Sequence, residues 1–298
     1  MQETRSKFSQ RHPLLFGFMI ITAAVVLLIG AMAVFRFYIH GGAKFMGLPS
    51  LGLVHVEGVI LDSRPVVDFI AELREDPEVV GVVIRVESPG GGIGPSQEIH
   101  RAVKKLAERK PVVVSMGALA ASGGYYVSCP ADSIYANPGT LTGSIGVIMQ
   151  VTNLEGLMDT LGIDHQSFIS GPFKDTPSPF GNMTLEEEAY LQGIIMDLHD
   201  QFVLDVAEGR AMDEGDVREL ADGRIYTGRQ ALQNGLVDQL GGLEDAFDAL
   251  KQLCEVTEDL PIKEGPVFET NFLEDIMSSI SSLDPTDQIL GPRWQIQY

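Results

Sequence analysis

Residues 79–94 read VVGVVIRVESPGGGIG, a nearly continuous apolar run that leads straight into a cluster of glycines. The run at 79–86 is typical of a strand buried on both faces, as in the middle of a parallel sheet. Consecutive glycines after such a strand permit unusual backbone angles and bring main-chain N–H groups close to a ligand. This stretch therefore predicts an α/β fold in which a central strand ends beside a candidate binding loop.

The glycine-rich segment at 88–94 has three interpretations. A phosphate-binding loop is poorly supported, because GxxxxGK[ST] is absent and a GxGxxG frame fails at Pro95 or at Gln97. An oxyanion hole is the second, since acyl transfer needs donors aimed at a developing negative oxygen. A tight strand-to-helix turn is the third, and the segment taken alone favours it.

Strands and helices alternate on both sides of this stretch. The predicted strands are 53–60, 79–86, 112–115, 133–136, 145–150 and 166–170, and the predicted helices are 66–73, 95–108 and 154–161. Such alternation predicts right-handed crossovers and a mainly parallel sheet. From Thr184, which forms a capping box with Glu187, the chain is predicted to be helical as far as residue 254, with breaks at glycines after residue 222. The tail after Pro261 is predicted to be irregular apart from a short helix at 272–280.

An uncharged apolar segment at 14–35 precedes the α/β part. As a helix its length is about 33 Å, enough to cross the ~30 Å hydrocarbon core of a membrane. Arg5, Lys7 and Arg11 lie before it, so the amino terminus is expected in the cytoplasm and the remainder outside it. The small residues at 31–33 also fit a signal-peptide cleavage site, but the length of the run favours an uncleaved anchor. A buried core helix is disfavoured because the segment has no polar face.

Charge and cysteine content exclude several classes of function. The net charge is −20, and residues 1–44 carry +4, so the remainder carries about −24 and repels phosphate backbones. Nucleic-acid binding is therefore not expected. Cys129 and Cys254 show no zinc-binding spacing, and no HExxH occurs, so no metal is expected. A disulfide between the two cysteines is left open, and Cys129 is expected to be buried.

One serine and one lysine lie in segments suited to nucleophilic catalysis. Small residues flank Ser122 in AASGGYY (120–126) and permit close approach of a peptide, although such a serine is more often a packing residue or helix cap. There is no GxSxG, and none of the six histidines lies in a motif suggesting a base. Lysine is the other base that activates serine, and burial favours its neutral form. Among eight lysines Lys174 stands out, in the loop GPFKDTPSPF (171–180), against the alternative of a surface lysine.

Four segments in order, SPGGG after VVIRV, ASGGYY, ANPGTLTGSIGV (136–147) and GPFKD, together resemble the signal peptide peptidase family of SppA type in its short single-domain form. GRIYTGRQALQNGLVDQLGG (223–242) resembles it as well. The resemblance covers about residues 50–255. It implies a crotonase- and Clp-protease-like α/β fold of stacked β/α units with a C-terminal helical region, preceded by one transmembrane helix. The implied segments are a cytoplasmic N-terminus 1–13, an anchor 14–35, a linker 36–48, a Ser-Lys protease domain 49–255 and a tail 256–298.

The resemblance also implies a set of functional residues. They are the nucleophile Ser122, the general base Lys174, the lysine-orienting Ser144, and the oxyanion donors Gly90 and Gly91, with Gly123 added as a second donor by geometry. One position departs from the family, which commonly has asparagine where this chain has Glu87. A carboxylate there is expected to lie beside the oxyanion turn and to perturb the turn or the local pH dependence.

The function implied is that of a membrane-anchored serine endopeptidase that degrades remnant signal peptides and other short hydrophobic peptides through an acyl-enzyme, without a cofactor. The expected partners are those peptides, the lipid bilayer and further copies of the chain in a ring or dome. The expected location is the inner membrane, with the catalytic domain on the periplasmic side. The alternatives are a stomatin-linked Ser-Lys protease, an inactive membrane scaffold and a crotonase-type acyl-CoA enzyme. The 52-residue gap between serine and lysine disfavours the first, and the export signal disfavours the third.

Overall fold

The computed structural model describes residues 49–266, 296 and 297, together with residues 22, 25–28, 30 and 31. The latter seven belong to a separate unit, Met1–Leu48, and are helical and exposed. Within the part of the chain that is described, no helix has both the length and the apolar character needed to cross a membrane. Most of the predicted anchor at 14–35 lies outside the described residues, as do the predicted cytoplasmic segment, the linker and most of the tail, so these stay predictions.

The described residues of the second unit, Pro49–Tyr298, are built on an eight-stranded sheet. The strands are β1 (Ser50–Ile60), β2 (Val79–Gly91), β3 (Val112–Ala121), β4 (Ser133–Ala136), β5 (Leu141–Gly143), β7 (Ile225–Thr227), β8 (Gln239–Leu240) and β9 (Ile262–Gly265). The short strands β6 (Ile148–Met149) and β10 (Ile296–Gln297) form a separate antiparallel pair. The helices are α1 (Arg64–Glu75), α2 (Ile93–Ala107), α3 (Gly123–Ser128), α4 (Glu155–Leu161), α5 (Leu185–Arg210), α6 (Glu214–Leu220), α7 (Gly228–Gln233) and α8 (Leu243–Leu253).

The strand order is β7-β5-β3-β2-β1-β9, with β4 beside β3 and β8 beside β4. Every pairing in this sheet is parallel except that of β5 with β7. The apolar run lies in β2 between β1 and β3, and the side chains of Val82, Val83, Ile84 and Val86 are fully buried. The predicted α/β fold with a mainly parallel sheet is therefore confirmed.

Two predicted strands are wrong or mostly wrong. Residues 166–170 form no strand, because no strand among the described residues pairs with them, and Phe168 is 90% exposed. Of the strand predicted at 145–150, only β6 is present. Ser144, at φ +51°, turns the chain away from the sheet after β5.

The prediction of an irregular tail after Pro261 is also wrong for its first residues. Residues 262–265 form β9, which pairs with β1 from Leu51↔Ile262 to Val54↔Gly265. β1 offers an unpaired edge there, and an edge can be completed by a segment with little strand character of its own. The remaining residues of the tail as far as 295 lie outside the described part.

The long helix α5 begins at the predicted capping box. The hydroxyl of Thr184 accepts a hydrogen bond from the N–H of Glu187 (3.2 Å), and the Glu187 carboxylate accepts one from the N–H of Thr184 (2.8 Å). The other end of α5 packs closely on the chain after α3, where a Cβ at Gly209 would lie 2.5 Å from the Cys129 carbonyl oxygen. Cys129 is buried, and neither cysteine forms a disulfide.

His100 of α2 is expected to make the stability of this packing dependent on pH. The buried His100 ring stacks on Tyr126 of α3 with centroids 4.5 Å apart, and burial lowers its pKa from 6.5 to about 4. Below pH 6.5 the unfolded chain binds a proton that the folded chain rejects until about pH 4. We expect the free energy of unfolding to fall by about 3 kcal/mol across this interval because of His100.

Urea unfolding of the full chain between pH 4 and 7.5 measures this effect. His100→Gln is expected to remove that part of the pH dependence, whatever its effect on stability at pH 7.5. If the free energy of unfolding falls equally with pH in His100→Gln and in the parent chain, His100 does not cause the pH dependence.

Candidate active site

Ser122 lies at the junction of β3 and α3 and precedes the first residue of the helix. Its backbone has φ +55° and ψ −119°, a conformation that costs a residue with a side chain on the order of 1–3 kcal/mol. Two hydrogen bonds hold this strained turn, from the N–H of Ser122 to the Gly143 carbonyl (2.8 Å) and from the N–H of Tyr126 to the Ser122 carbonyl (2.9 Å). A serine on a sharp strand-to-helix turn is the usual arrangement of an exposed nucleophile.

Ser122 is largely buried, and its hydroxyl is not bonded to another described group of the protein. The residue is 7% exposed, and no hydrogen bond to its hydroxyl is present within the described part of the chain. Such a hydroxyl is available to a substrate and to a base.

Ser144 lies beside Ser122 at the end of the neighbouring strand. The parallel pairing of β3 with β5 places Ala121 opposite Gly143, so Ser122 and Ser144 each follow a paired residue. Parallel strands are about 5 Å apart. Both serines have a positive φ, and the N–H of Ser144 donates to the Arg224 carbonyl (2.8 Å). The structure therefore brings these two predicted site residues together.

The predicted oxyanion glycines converge on the same point. A Cβ at Gly123 would lie 3.3 Å from the Gly91 nitrogen and 3.1 Å from the Gly90 Cα. The N–H of Gly92 donates to Ile60 of β1 (2.8 Å), and successive N–H groups of a strand point to opposite sides. The N–H of Gly91 therefore points away from β1, to the side of Gly123.

The three glycines differ in what their N–H groups can do. The N–H of Gly90 donates to the Ser88 hydroxyl (3.1 Å), so Gly91 is the better placed of the two β2 donors. The N–H of Gly123 is the first in its helix and has no partner within it. A side chain at Gly91 is excluded, because its Cβ would lie 2.3 Å from the Ile60 carbonyl oxygen.

Lys174 lies in a turn of the segment between α4 and α5. Its backbone N–H donates to the Gly171 carbonyl (3.1 Å), and the neighbouring Phe173 packs on Tyr190 of α5 with ring centroids 4.8 Å apart. The Lys174 side chain is exposed, and in the described part of this single chain its amine makes no hydrogen bond to Ser122 or Ser144. The predicted dyad stays a prediction.

Sequence reasoning missed two residues that support the site. The Ser88 hydroxyl donates to the Gly58 carbonyl (2.6 Å) and accepts from Gly90, which fixes the glycine turn. Arg224 supplies the carbonyl that holds Ser144. Ser88 stands in the quoted glycine-rich segment and could have been found there, whereas a main-chain carbonyl carries no signal in sequence. Among the described residues, no group of three or more His, Cys, Asp and Glu could hold a metal ion.

Known proteins resemble this chain over its α/β part. Residues 104–257 match the model of Peptidase family S49. The chain is 45% identical over 190 residues to an Enterococcus faecium protein named for the signal peptide peptidase SppA, and the alignment covers 63% of this chain and 55% of that protein. It is 46% identical over 194 residues to a Synechocystis protein named as a protease, slr0021, and that alignment covers 65% of this chain and 70% of that protein.

Longer and structural relatives add two further comparisons. Protease 4 of Haemophilus influenzae is 33% identical over 243 residues, covering 78% of this chain and 39% of that protein. The chain thus spans little more than half the length of the Enterococcus relative and less than half of Protease 4. A solved structure of a ClpP1 mutant from Listeria monocytogenes is similar at a TM-score of 0.41 and 14% identity, covering 65% of this chain and 93% of that one. That likeness is too weak to carry an argument about function.

Proposed function

The chain belongs to peptidase family S49, a family of serine peptidases, and on this premise we propose that it is a membrane-anchored endopeptidase that degrades remnant signal peptides and other short hydrophobic peptides. One observation carries the proposal: Ser122 stands on a strained turn beside the N–H groups of Gly91 and Gly123. Acyl transfer needs a nucleophile next to donors that face the developing oxyanion.

The proposed reaction is a Ser-Lys acyl-enzyme mechanism. The amine of Lys174 takes the proton of Ser122 while the serine oxygen bonds to the peptide carbonyl carbon. Gly91 and Gly123 donate hydrogen bonds to the resulting oxyanion. When the intermediate collapses, the C–N bond breaks and Lys174 returns the proton to the leaving amine. Water then hydrolyses the ester, and Ser144 orients the lysine amine throughout.

The proposed mechanism requires Lys174 to be shielded from water, since removal of water favours a neutral amine. In the single chain its side chain is exposed. Several large apolar side chains that precede Lys174 in the chain are exposed: Ile148, Leu157, Leu161, Ile163, Phe168 and Ile169. Exposed apolar side chains fit an interface, and we assign these to contacts with further copies of this chain in a ring or dome. The protein mass of the particle in detergent, without the bound detergent, is therefore expected to be that of at least two chains of 32.4 kDa each.

The proposed location is the inner membrane, with one crossing at 14–35 and the catalytic domain on the periplasmic side. The support is the uncharged run and the basic residues before it. A membrane location suits hydrophobic substrates, which partition into or near the bilayer. The name of the Enterococcus relative refers to signal peptides, which are substrates of this character.

Peptide cleavage by the full chain in detergent tests the proposed function. We expect a synthetic signal-peptide sequence to be cut faster than a hydrophilic peptide of equal length. A fluorophosphonate probe is expected to block cleavage and to add its mass to Ser122, which peptide mapping would locate. Cleavage that continues with the probe bound at Ser122 would contradict the proposal. A chain that neither cuts nor reacts with the probe would support the inactive scaffold instead.

A further inference from the structure

Glu87, the residue that departs from the family's usual asparagine, forms a side-chain link between two strands of the site. It lies on β2 just before the glycine turn. Its two carboxylate oxygens lie 2.9 and 3.0 Å from the N–H of Ala118 on β3, which donates to them. Hydrogen bonds from N–H groups to a carboxylate are shorter and stronger than neutral ones.

This link spans a bulge in β3. Val86 pairs with Met116 and Ser88 pairs with Ala120, so the single residue Glu87 faces three residues, 117–119. A bulge leaves N–H groups without a ladder partner and bends its strand. The Glu87 carboxylate supplies the acceptor that the ladder cannot offer to Ala118.

The surroundings of Glu87 fix the orientation of its carboxylate. The Arg85 guanidinium, on the same face of β2, lies 3.7 Å from Glu87 Oε2, and it donates to the Ser115 hydroxyl (2.9 Å) on β3. Gly117 leaves room for the carboxylate, because a Cβ there would lie 1.5 Å from Glu87 Oε2. Arg85 on β2 and the space at Gly117 on β3 thus hold the Glu87 carboxylate between the two strands.

We propose that Glu87 is a positioning residue that sets the distance between the oxyanion donor and the nucleophile. Gly91, the last residue of β2, is the fourth residue after Glu87, and Ser122, which directly follows β3, is the fourth residue after Ala118. A fixed point at the bulge therefore constrains both strand ends that meet at the site. The inference rests on the proposed function, since it assigns a role to Glu87 in that same reaction. With both oxygens facing Ala118, Glu87 acts on the geometry of the site and takes no proton from the substrate.

Glu57 provides a matched control. It lies opposite Glu87 in the register of β1 with β2, so each substitution removes one carboxylate from the same position along the paired strands. The carboxylate of Glu57 lies 3.3 Å from Nδ1 of His55, on its own strand. Glu57→Ala therefore changes the local charge as Glu87→Ala does, but leaves the link to Ala118 intact.

Steady-state kinetics of the full chain tests the role in catalysis. We expect Glu87→Ala to lower kcat about tenfold with KM within twofold, because small displacements of reacting groups are costly. Glu87→Gln, whose amide oxygen still accepts from Ala118, is expected to retain most of the activity, and Glu57→Ala all of it. A kcat for Glu87→Ala within twofold of the parent chain, or an equal loss in Glu57→Ala, would overturn the proposal. So would a rise in KM at unchanged kcat, which indicates contact with substrate.

Hydrogen exchange measured by mass spectrometry separates failure of this inference from failure of the proposed function. Peptides that contain Ala118 are expected to exchange at least tenfold faster in Glu87→Ala and at the parental rate in Glu57→Ala. This readout needs no peptidase activity. Unchanged exchange in Glu87→Ala would overturn the link itself. Faster exchange in a chain without any peptidase activity would overturn the proposed function and leave the link in place.

Discussion

Replacing Ser122 with alanine is expected to abolish peptide hydrolysis while the chain stays folded. Loss of the attacking oxygen removes the acyl-enzyme route, and we expect kcat/KM to fall by roughly 10⁴-fold or more. Stability should change little, since no protein group in the described part of the chain bonds to the Ser122 hydroxyl and alanine suffers the same strain at φ +55°. Peptide cleavage and urea unfolding of the same preparation measure the two effects.

Two companion variants sharpen this expectation. Ser122→Gly should be equally inactive but more stable by about 1 kcal/mol, because glycine adopts a positive φ without strain. Ser128→Ala is the matched control, a buried serine at the other end of α3 whose hydroxyl donates to the Gly124 carbonyl (2.7 Å). It is expected to lose some stability and to keep its activity. Retention of a tenth of the activity in Ser122→Ala would rule out Ser122 as the nucleophile.

Much of this site could be predicted because its signals are local in sequence. A strand buried on both faces must be apolar along its whole length, so the run of β2 is visible without knowledge of its neighbours. The glycines after it are needed because the backbone of β1 leaves no space for a side chain at Gly91. The capping box of Thr184 and Glu187 is likewise complete within four residues.

The features that could not be predicted depend on a partner elsewhere in the chain. β9 forms because it pairs with the free edge of β1, a strand about 200 residues earlier in the chain. The four residues of β9 alone, IKEG (262–265), do not specify a strand. Residues 166–170 show the reverse case, a strand-like pattern that pairs with no strand in the described part of the chain. Glu87 was expected to lie beside the oxyanion turn and to perturb the turn or the local pH dependence, which stays a prediction; the sequence did not predict that its carboxylate binds the bulge of β3. The bulge arises from the register between β2 and β3, and the sequence of either strand alone does not determine that register.

Replacing Lys174 is expected to cause the second large loss. A general base contributes about 10²–10⁴-fold, so Lys174→Ala should lower kcat by about 10³-fold. Lys174→Arg should be equally inactive, because a guanidinium keeps its proton at any working pH. The exposed side chain makes no hydrogen bond within the described part of the chain, so both variants should unfold at the parental urea concentration. Near-normal turnover in Lys174→Ala would show that another group serves as the base.

Mixing the two inactive variants locates the chain from which the amine comes. The exposure of Lys174, within a segment of uncovered apolar side chains, leads us to expect that a second copy presents this residue to Ser122. Ser122→Ala and Lys174→Ala, unfolded together and reassembled in equal amounts, should then recover about a quarter of the parental activity, since one in four random pairings joins an intact serine to an intact lysine. The control is a mixture of the two folded variants that is not unfolded, which should stay inactive because no subunits are exchanged. A reassembled mixture that also stays inactive would place both residues of the dyad in one chain, and the 171–180 loop would then have to move toward Ser122 during catalysis.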